Sequence, residues 1–507
     1  MKRRGSLLLA TTVGLAACGS SSDNKPPPTN TSELNVYTFG QPQIQGGIDI
    51  AAAAFQAMTG VKVNVIGEPA FQNLQPTLES KAKAGSADFD VYLSGNLWVA
   101  DFVNLGYAEP LDAYITADAA NPELANSDIP DGVRKKNSFG GKTYSLLVDN
   151  DNMFFFYRKD VFNDPVWQEQ FRSDPANTTH KELPNPPRTL TEMLEVAKFF
   201  KDKDWNPDIT NETSFVISDA GLGQSHYYAL AWTTPYTIMP VGVAPSNGLI
   251  FFKPDMTPLV NSPGFVRGIT EWKQMIDCCL KWYADSDGPE GLLRREAVID
   301  QFIRGRALMA IDWGDIGPAA FRAESVIPGK VGFAMAPGSM EYYNWQTSVW
   351  EPTTEPHFAP MHQFNGWALY MASTSKKKDL AWQFMRYFIS PQVSLETVAD
   401  PLGGYQPWRT SHSTNLTYWQ SKGWGLDDAQ QYVQTILDTT NHPNRVIDIR
   451  IPGSFRYGDA LEAELKNVVL GLKTPQQAMD DTAAAFQEIT TDLGLAPSIA
   501  AYQAHLQ

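Results

Sequence analysis

The feature that constrains the fold most is an alternation of strand and helix patterns that begins near Leu34. LNVYTFG predicts a strand, IDIAAAAFQAMTG a helix that ends at Gly60, and VKVNVIG a second strand. A further helix over about 71–84 leads into FDVYLSG, which predicts a third strand. Because strands joined through helices usually pair in parallel, this order predicts an α/β fold with a mostly parallel sheet and helices on both faces.

Polar and aromatic residues follow two of the predicted strands at their carboxyl ends. Gln41 comes after the first strand, and Asn96 and Trp98 come after the third. Sheets of this kind bind ligands beyond the carboxyl ends of their strands. We therefore expect these three residues to contribute amides and an indole ring to a binding site.

The first residues of the chain have the pattern of an export signal. Three basic residues over 2–4 precede an apolar run over 7–17 that stops at Cys18. Because a membrane span needs about 20 apolar residues, we interpret residues 1–17 as a signal peptide. The ending LAAC resembles a bacterial lipobox, whose Cys receives a lipid, so Cys18 is the predicted lipidation site. The small, polar and Pro-rich residues 18–33 predict a lipidated, flexible tether.

Length and charge narrow the class of protein. The chain has 507 residues, more than one hydrophobic core usually holds, which predicts at least two lobes. Hydrophobic residues make up 43%, and no later stretch has about 18 consecutive apolar residues, so we expect a globular body outside the membrane. The formal net charge of −16 argues against binding nucleic acid, which proteins hold mainly through cationic side chains.

Two further cysteines, Cys278 and Cys279, stand in tandem on a predicted helix. Local geometry disfavours a bridge between neighbouring residues. We therefore expect two small, buried or half-buried thiols, and a vicinal disulfide or a reactive pair is the alternative.

The sequence lacks the common catalytic and metal-binding motifs. The sequence has no HExxH, GxSxG or Walker motif, and its cysteines do not form a metal-binding set. The run DNDN over 149–152 lacks the Gly and the terminal Glu of a calcium loop. We therefore predict no catalytic residue, no metal and no cofactor. A glycosidase needs only two carboxylates, so a secreted carbohydrate-active enzyme remains an alternative.

Five segments occur in the order found in one known family. They are FDVYLSGNLWVADFVNLGYAEPLDAYI, GGKTYSLLVDNDNMFFFYRKDVF, PPRTLTEMLEVAKFF, AVIDQFIRGRALMAIDWGD and FNGWALYMASTSKKKDLAWQFMRYFISP. In this order they resemble the bacterial extracellular solute-binding proteins of carbohydrate ABC importers, the group that includes maltose-binding protein. The resemblance implies a two-lobed periplasmic-binding-protein fold, in which each lobe has a mostly parallel sheet flanked by helices and crossover segments form a hinge.

The resemblance also implies how the chain is divided between the lobes. We assign residues 34–148 and 335–395 to lobe one, and residues 149–334 and 396–507 to lobe two. Each lobe is therefore expected to be discontinuous in sequence.

Recognition of a sugar needs flat aromatic faces for the ring and amides or carboxylates for the hydroxyls. Trp98, Trp313, Trp367 and Trp408 stand beside polar turn residues at predicted strand ends. Core packing is the alternative for any one of them. We expect at least two of the four in the cleft.

Two carboxylates, Asp149 and Asp151, interrupt a long aromatic strand pattern. The resemblance implies that they lie at the hinge and face the cleft, where carboxylates accept hydrogen bonds from hydroxyl groups. Capping of the turn is the alternative.

The remaining candidates lie in later turns. Asp315 and Asn365 occupy turns beside predicted strands, and Tyr405 and Arg409 belong to the segment GGYQPWRTSH. Arg409 is a candidate for hydrogen bonds to ring oxygens or to a ligand carboxylate. A salt bridge that closes its own loop is the alternative.

The functional expectation follows from the resemblance. It implies a monomer, lipid-anchored in the cell envelope on the periplasmic or extracellular side, that captures a sugar or oligosaccharide and delivers it to an ABC permease. A non-sugar solute such as a polyol phosphate, a peptide or a polyamine is the second possibility. Basic cleft residues would favour a phosphate, and a cleft dominated by carboxylates would favour a cation.

Overall fold

Strands alternate with helices from the start of the described chain, and its last part is mainly helical. The computed structural model describes residues 33–178, 181–208, 224–243, 250–280 and 295–506. The strands are β1 (Glu33–Phe39), β2 (Lys62–Glu68), β3 (Val91–Gly95), β4 (Ser138–Phe139), β5 (Lys142–Thr143), β6 (Ser145–Leu147), β7 (Met153–Arg158), β8 (Met309–Trp313), β9 (Val331–Met335), β10 (Ser339–Asn344), β11 (Val349–His357), β12 (Met361–His362), β13 (Trp367–Met371) and β14 (Val446–Ile447). The helices are α1 (Pro42–Thr59), α2 (Phe71–Lys83), α3 (Val99–Asn104), α4 (Asp112–Ala117), α5 (Asp131–Lys136), α6 (Lys159–Phe162), α7 (Pro165–Arg172), α8 (Leu190–Phe200), α9 (Ser225–Thr237), α10 (Pro263–Cys279), α11 (Arg295–Ile303), α12 (Ile316–Ala319), α13 (Lys378–Phe388), α14 (Pro391–Val398), α15 (Thr410–Thr414), α16 (Leu416–Ser421), α17 (Leu426–Thr440), α18 (Ser454–Val469), α19 (Pro475–Leu493) and α20 (Leu495–His505).

The sheet of lobe one contains the β-α-β-α-β unit predicted from the sequence. Its strand order is β2-β1-β3-β13-β6. Strand β1 pairs in parallel with β2 and β3, whereas β13 pairs antiparallel with β3 and β6. Every residue of β3 and β13 is buried, which is expected for central strands covered by helices on both faces. The predicted first three strands and the two helices between them are confirmed.

The sheet of lobe two differs from the expected parallel arrangement. Its described strands follow the order β8-β7-β9, and both pairs are antiparallel. The expectation of a mostly parallel sheet is therefore wrong for these strands. All six residues of β7 are buried. Because an apolar run of this kind fits a buried strand of either direction, the sequence pattern alone did not distinguish the two.

The chain passes between the two sheets along several connections. Residues 148–152 join β6 of the first sheet to β7 of the second, and the chain returns between β9 and β13. It then comes back to the second sheet, where Thr435 of α17 donates a hydrogen bond to the Phe333 carbonyl of β9 over 3.3 Å. These connections form the hinge of a two-lobed fold. The lobe boundaries given above remain predictions.

Helix ends follow the local signals in the sequence. Thr189 and Glu192 form a reciprocal capping box at the start of α8. Ser262 caps α10, whose first residue is Pro263, and Gly60 ends α1 at a φ of 76°. The predicted helix end at Gly60 is confirmed, and all three ends depend on a few neighbouring residues only.

The two tandem cysteines are bridged. Cys278 and Cys279 form a disulfide at the end of α10, so the expectation of two free thiols is wrong. The helix ends at Cys279, and Leu280 is already extended. The backbone at this point is therefore not held by a following helical turn.

The predicted signal peptide, the lipidation site Cys18 and most of the tether lie outside the described residues. Among the helices that the structure does describe, none combines the length and the apolar character needed to cross a membrane.

Candidate ligand-binding site

A cavity lies between the lobes, at the edge of the first sheet where β1 ends and β13 begins. It is lined by Phe39, Gln43, Ile44, Phe71, Asp151, Gln224, Tyr227, Trp313, Asp315, Phe364, Trp367 and Gly404. Its free volume is about 40 Å³, room for a few waters at about 10–15 Å³ each. A cavity of this volume has no room for a solute of the size of a sugar, so we expect the lobes to part before one enters.

Aromatic rings form the wall of the cavity on the side of lobe one. Phe39 lies parallel to Trp367 with ring centroids 6.1 Å apart, and Phe364 lies 4.7 Å from Trp367. Phe71, at the start of α2, packs against Phe39 and Phe364 at 5.6 Å each. This part of the cavity offers apolar ring faces and edges.

Lobe two presents two rings to the same space. Trp313 lies at the end of β8, edge-on to Tyr227 and Tyr228 of α9 at 5.7 and 5.1 Å. Tyr227 in turn meets Phe71 of lobe one edge-on, with centroids 6.5 Å apart. The cavity is therefore enclosed by aromatic side chains from both lobes.

Carboxylates supply much of the polar lining. Asp151 and Asp315 line the cavity directly, and Asp149 lies buried behind Asp151. The backbone N–H of Gln406 donates to Asp149 Oδ1 over 2.7 Å, and the Gln406 side chain donates to Asp151 Oδ1 over 3.2 Å. Gln406 thus fixes the positions of both hinge carboxylates.

The carboxylates near Asp149 affect its ionisation. Burial raises the pKa of Asp149 well above its usual range, and the nearby Asp151 and Asp315 raise it further. Two carboxylates this close do not both ionise readily. Burial next to Asp151 therefore favours the protonated form of Asp149 more than it does for an exposed aspartate.

The remaining polar lining is uncharged. Gln43 and Gln224 add two side-chain amides. No Lys or Arg is among the lining residues in the part of the chain that the structure describes. The lining therefore suits a ligand rich in hydroxyl groups or one that carries positive charge, and it offers no counter-charge to an anion.

Two candidates at the end of β3 lie outside the cavity. Asn96 donates to the Lys136 carbonyl over 2.8 Å and accepts from the Tyr370 hydroxyl over 2.9 Å. Trp98 is fully buried and meets Phe364 edge-on at 5.0 Å, so it supports a lining ring from behind. The short 3₁₀ turn after β3 directs both side chains into lobe one.

Asn365 and Gln41 also lie outside the cavity lining. Asn365 exchanges two hydrogen bonds with the backbone of Asp448, at 2.8 and 2.9 Å, so its amide is used inside the protein. Gln41 precedes α1 and reaches only the Pro69 carbonyl, at 3.5 Å. Gln43, inside the first turn of α1, lines the cavity instead.

The segment after α14 serves as a support. Tyr405 donates its hydroxyl proton to the Ile44 carbonyl over 2.6 Å, and only its neighbour Gly404 lines the cavity. Trp408 packs under the guanidinium of Arg409, 4.5 Å from the ring centroid. Neither Tyr405 nor Trp408 lines the cavity.

Arg409 acts as an internal clamp. Its guanidinium donates to the carbonyls of Leu124, Ala125 and Ile389 over 2.5–3.2 Å and lies 3.6 Å from Asp128. Burial lowers its pKa to about 10. The expected ligand contact is wrong for Arg409, because all of its donors point into the protein, and the loop-closing salt bridge is the arrangement found.

Of the twelve residues proposed from the sequence, Asp151, Trp313, Asp315 and Trp367 line the cavity. Their contact with a ligand remains a prediction. The sequence analysis did not propose Phe39 and Phe71, which also line the cavity. Phe39 ends β1 and Phe71 follows β2, so the argument from strand ends that selected Gln41 could have included them. Tyr227 and Gln224 carried no sequence signal, since they begin an all-buried helix without a polar face.

Within the described ranges, no group of three or more His, Cys, Asp or Glu side chains is arranged to hold an ion.

The fold resembles that of solved binding proteins. An ABC transporter solute-binding protein from Agrobacterium radiobacter K84, in complex with ribitol, is 20% identical, with a TM-score of 0.68 over 91% of this chain and 100% of that one. A solute-binding protein from Agrobacterium vitis S4 with bound D-mannitol is 17% identical, with a TM-score of 0.67 over 91% and 99%. Maltose-bound MalE3 of T. maritima is 17% identical, with a TM-score of 0.66 over 90% and 99%. These likenesses identify the two-lobed binding-protein fold.

A family match of the amino-acid sequence shows which class of binding protein this is. Residues 51–424 match the family model described as bacterial extracellular solute-binding protein. The match spans well over half of the chain, so the protein belongs to this family. It is therefore an extracellular binding protein and not an enzyme.

Proposed function

We propose that this protein captures a sugar or a sugar alcohol between its lobes and delivers it to the permease of an ABC importer. The observation that carries the proposal is the lining of the interlobe cavity, in which carboxylates and amides alternate with aromatic rings from both lobes. Rings cover the C–H faces of a sugar, and carboxylates and amides bind its hydroxyls. The bound ribitol, D-mannitol and maltose of the similar structures support the same ligand class.

The proposed mechanism is closure around the solute. When the lobes part, Trp367 and Phe39 remain on lobe one, while Tyr227 and Trp313 move away with lobe two. A solute that contacts both sets binds the closed form more tightly than the open form and therefore shifts the population toward closure. The permease would then distinguish the closed, loaded protein from the open one.

A cationic solute such as a polyamine is the second candidate. The specific observation in its favour is the pair of carboxylates that line the cavity, Asp151 and Asp315, while no Lys or Arg is among its described lining residues. Aromatic rings also attract cations through their faces. A polyol phosphate fits this lining less well, because its charge would meet carboxylates.

The anchoring is part of the proposal. The LAAC ending at Cys18 supports lipidation, and residues 18–33 would hold the body close to the membrane as a flexible tether. We further propose that the protein acts as a monomer in the cell envelope.

A thermal-shift screen tests the ligand class. The chain from Gly19 onward is heated with sugar alcohols, mono- and oligosaccharides, polyamines and sugar phosphates in turn. A ligand at about 100 times its dissociation constant adds about 2.7 kcal/mol to the free energy of unfolding. A shift with a sugar or sugar alcohol, without turnover, supports the proposal. A shift with polyamines alone selects the second candidate, and a shift with sugar phosphates alone contradicts both.

A further inference from the structure

A second pocket lies outside the interlobe cavity, behind the hinge. Its volume is about 420 Å³, and three separate chain segments line it. The lining residues are Gly132, Lys135, Lys136, Ser138, Phe139 and Gly140, then Arg445, Ile447 and Arg450, and finally Ala501, Ala504 and His505. The pocket therefore brings together α5, the residues around β14 and α20.

The lining of this pocket is strongly basic. It contains Lys135, Lys136, Arg445 and Arg450, together with His505, and no Asp or Glu is among its described lining residues. The whole chain has a formal net charge of −16. The basic lining of this pocket is therefore opposite in sign to the net charge of the protein.

The arginines lack counter-ions. Within the described residues, neither Arg445 nor Arg450 lies in an ion pair. Arg450 donates one hydrogen bond to the Ser138 carbonyl over 2.5 Å, but its Nε atom is buried and has no hydrogen-bond partner. A buried guanidinium donor without a partner is costly, and a bound anion removes that cost.

Lys136 adds a buried ammonium group at the inner wall. Its Nζ donates to Asn150 Oδ1 over 2.7 Å and lies 3.0 Å from His362 Nδ1. Burial, helped by Arg445 and Arg450 and opposed by the hinge carboxylates, lowers its pKa to about 7. Positive charge is thus crowded at this point.

We propose that this pocket is a second binding site, which takes a small anion that carries a phosphate group. The planar guanidinium groups of Arg445 and Arg450 match the oxygen spacing of a phosphate, and the two lysines complete its charge. The volume exceeds that of inorganic phosphate, so a phosphorylated small molecule or a phospholipid headgroup fits the same chemistry. This site is independent of the solute proposed for the interlobe cavity.

The test is binding of inorganic phosphate to the chain from Gly19 onward, measured by calorimetry at constant ionic strength with chloride as the reference anion. We expect saturable binding that weakens at least tenfold in Arg445→Ala. Arg445 is exposed, and its described side-chain hydrogen bond is an exposed one to the Thr440 carbonyl, so we expect its replacement to leave the fold intact. Arg456→Ala is the matched control, because Arg456 is exposed and pairs with Asp492. It should bind phosphate like the unsubstituted chain.

A second arm distinguishes the source of the phosphate group. The same proteins are sedimented with vesicles of phosphatidylglycerol or of phosphatidylcholine. Binding to phosphatidylglycerol alone, lost in Arg445→Ala, would assign the site to a lipid headgroup. Absence of both phosphate and vesicle binding, or equal binding by Arg445→Ala and the unsubstituted chain, would overturn the proposal.

Discussion

Phe71 of lobe one meets Tyr227 of lobe two edge-on across the cleft, with ring centroids 6.5 Å apart. The pair therefore helps to hold the two lobes together in this structure. Phe71→Ala should therefore weaken solute binding about two- to tenfold, because an aromatic pair contributes about 0.5–1.5 kcal/mol and about 1.4 kcal/mol is a factor of ten. The dissociation constant of the solute found in the thermal screen measures the effect.

The matched control for this change is Phe89→Ala. Phe89 is buried and stacks on Tyr37 at 4.5 Å, away from the cavity. Its loss should lower the melting temperature and leave the solute affinity unchanged. Equal affinity losses in the two variants would mean that Phe71 acts only through the stability of its lobe.

Trp313 and Trp408 offer a second matched pair. Both were proposed as ligand contacts, but only Trp313 lines the cavity. Trp313→Ala should weaken solute binding at least tenfold, since it removes a ring face from the cleft. Trp408→Ala should destabilise the fold through lost packing against Arg409 and keep the affinity within about twofold, as expected for a residue outside the interface. Intrinsic fluorescence titration gives both affinities, and a reversed order would contradict the placement of the site.

The fold was predictable where local patterns decide the structure. Strands β1, β2 and β3 are separated by helices α1 and α2, an order typical of a parallel sheet, and the ends of α8 and α10 depend on their capping residues. The antiparallel pairing of β7 with β8 was not predictable. The direction of a buried strand is set by the route of the chain between the lobes, and a continuous apolar run does not record it.

The site was predictable only in part, because polar side chains at strand ends have two possible uses. Asp315 and Trp367 line the cavity as the strand-end argument expects. Asn96 and Asn365 satisfy backbone groups within the protein. Neighbours distant in sequence decide whether such a side chain lines the cavity or bonds to backbone groups inside the protein. For Asn365 that neighbour is Asp448, and it is known only from the fold.

Arg409 gives a prediction about stability. Its guanidinium satisfies carbonyls of residues 124, 125 and 389, so Arg409→Met would leave buried acceptors without donors. We expect the free energy of unfolding to fall by about 3–5 kcal/mol, the range for breaking a buried charged contact. Urea unfolding measures this loss, and Arg456→Met serves as the exposed control. A stable variant with lost solute binding would restore Arg409 as a ligand contact.

Asp149 gives a prediction about pH. Its folded-state pKa is raised well above the usual value of 3.8 by burial and by Asp151. Between that usual value and the raised one, the folded protein holds a proton that the unfolded chain has released. Stability should therefore fall as the pH rises through this window, since the unfolded state binds fewer protons there.

Asp149→Asn isolates this contribution. An amide copies a protonated carboxyl group, because its oxygen can accept from the Gln406 N–H and its NH₂ can donate to Asp151. The variant should fold. As the pH rises from 4 to 8, its free energy of unfolding should fall less than that of the unsubstituted chain. An ordinary Asp, with a pKa of about 3.9, is already ionised in this range. Other buried carboxyls, such as Asp448 with a pKa raised to about 6, contribute equally to both proteins. Urea unfolding at a series of pH values gives the difference. Parallel curves for the two proteins would show that Asp149 ionises normally in the folded state, and the raised pKa assigned to it would then be wrong.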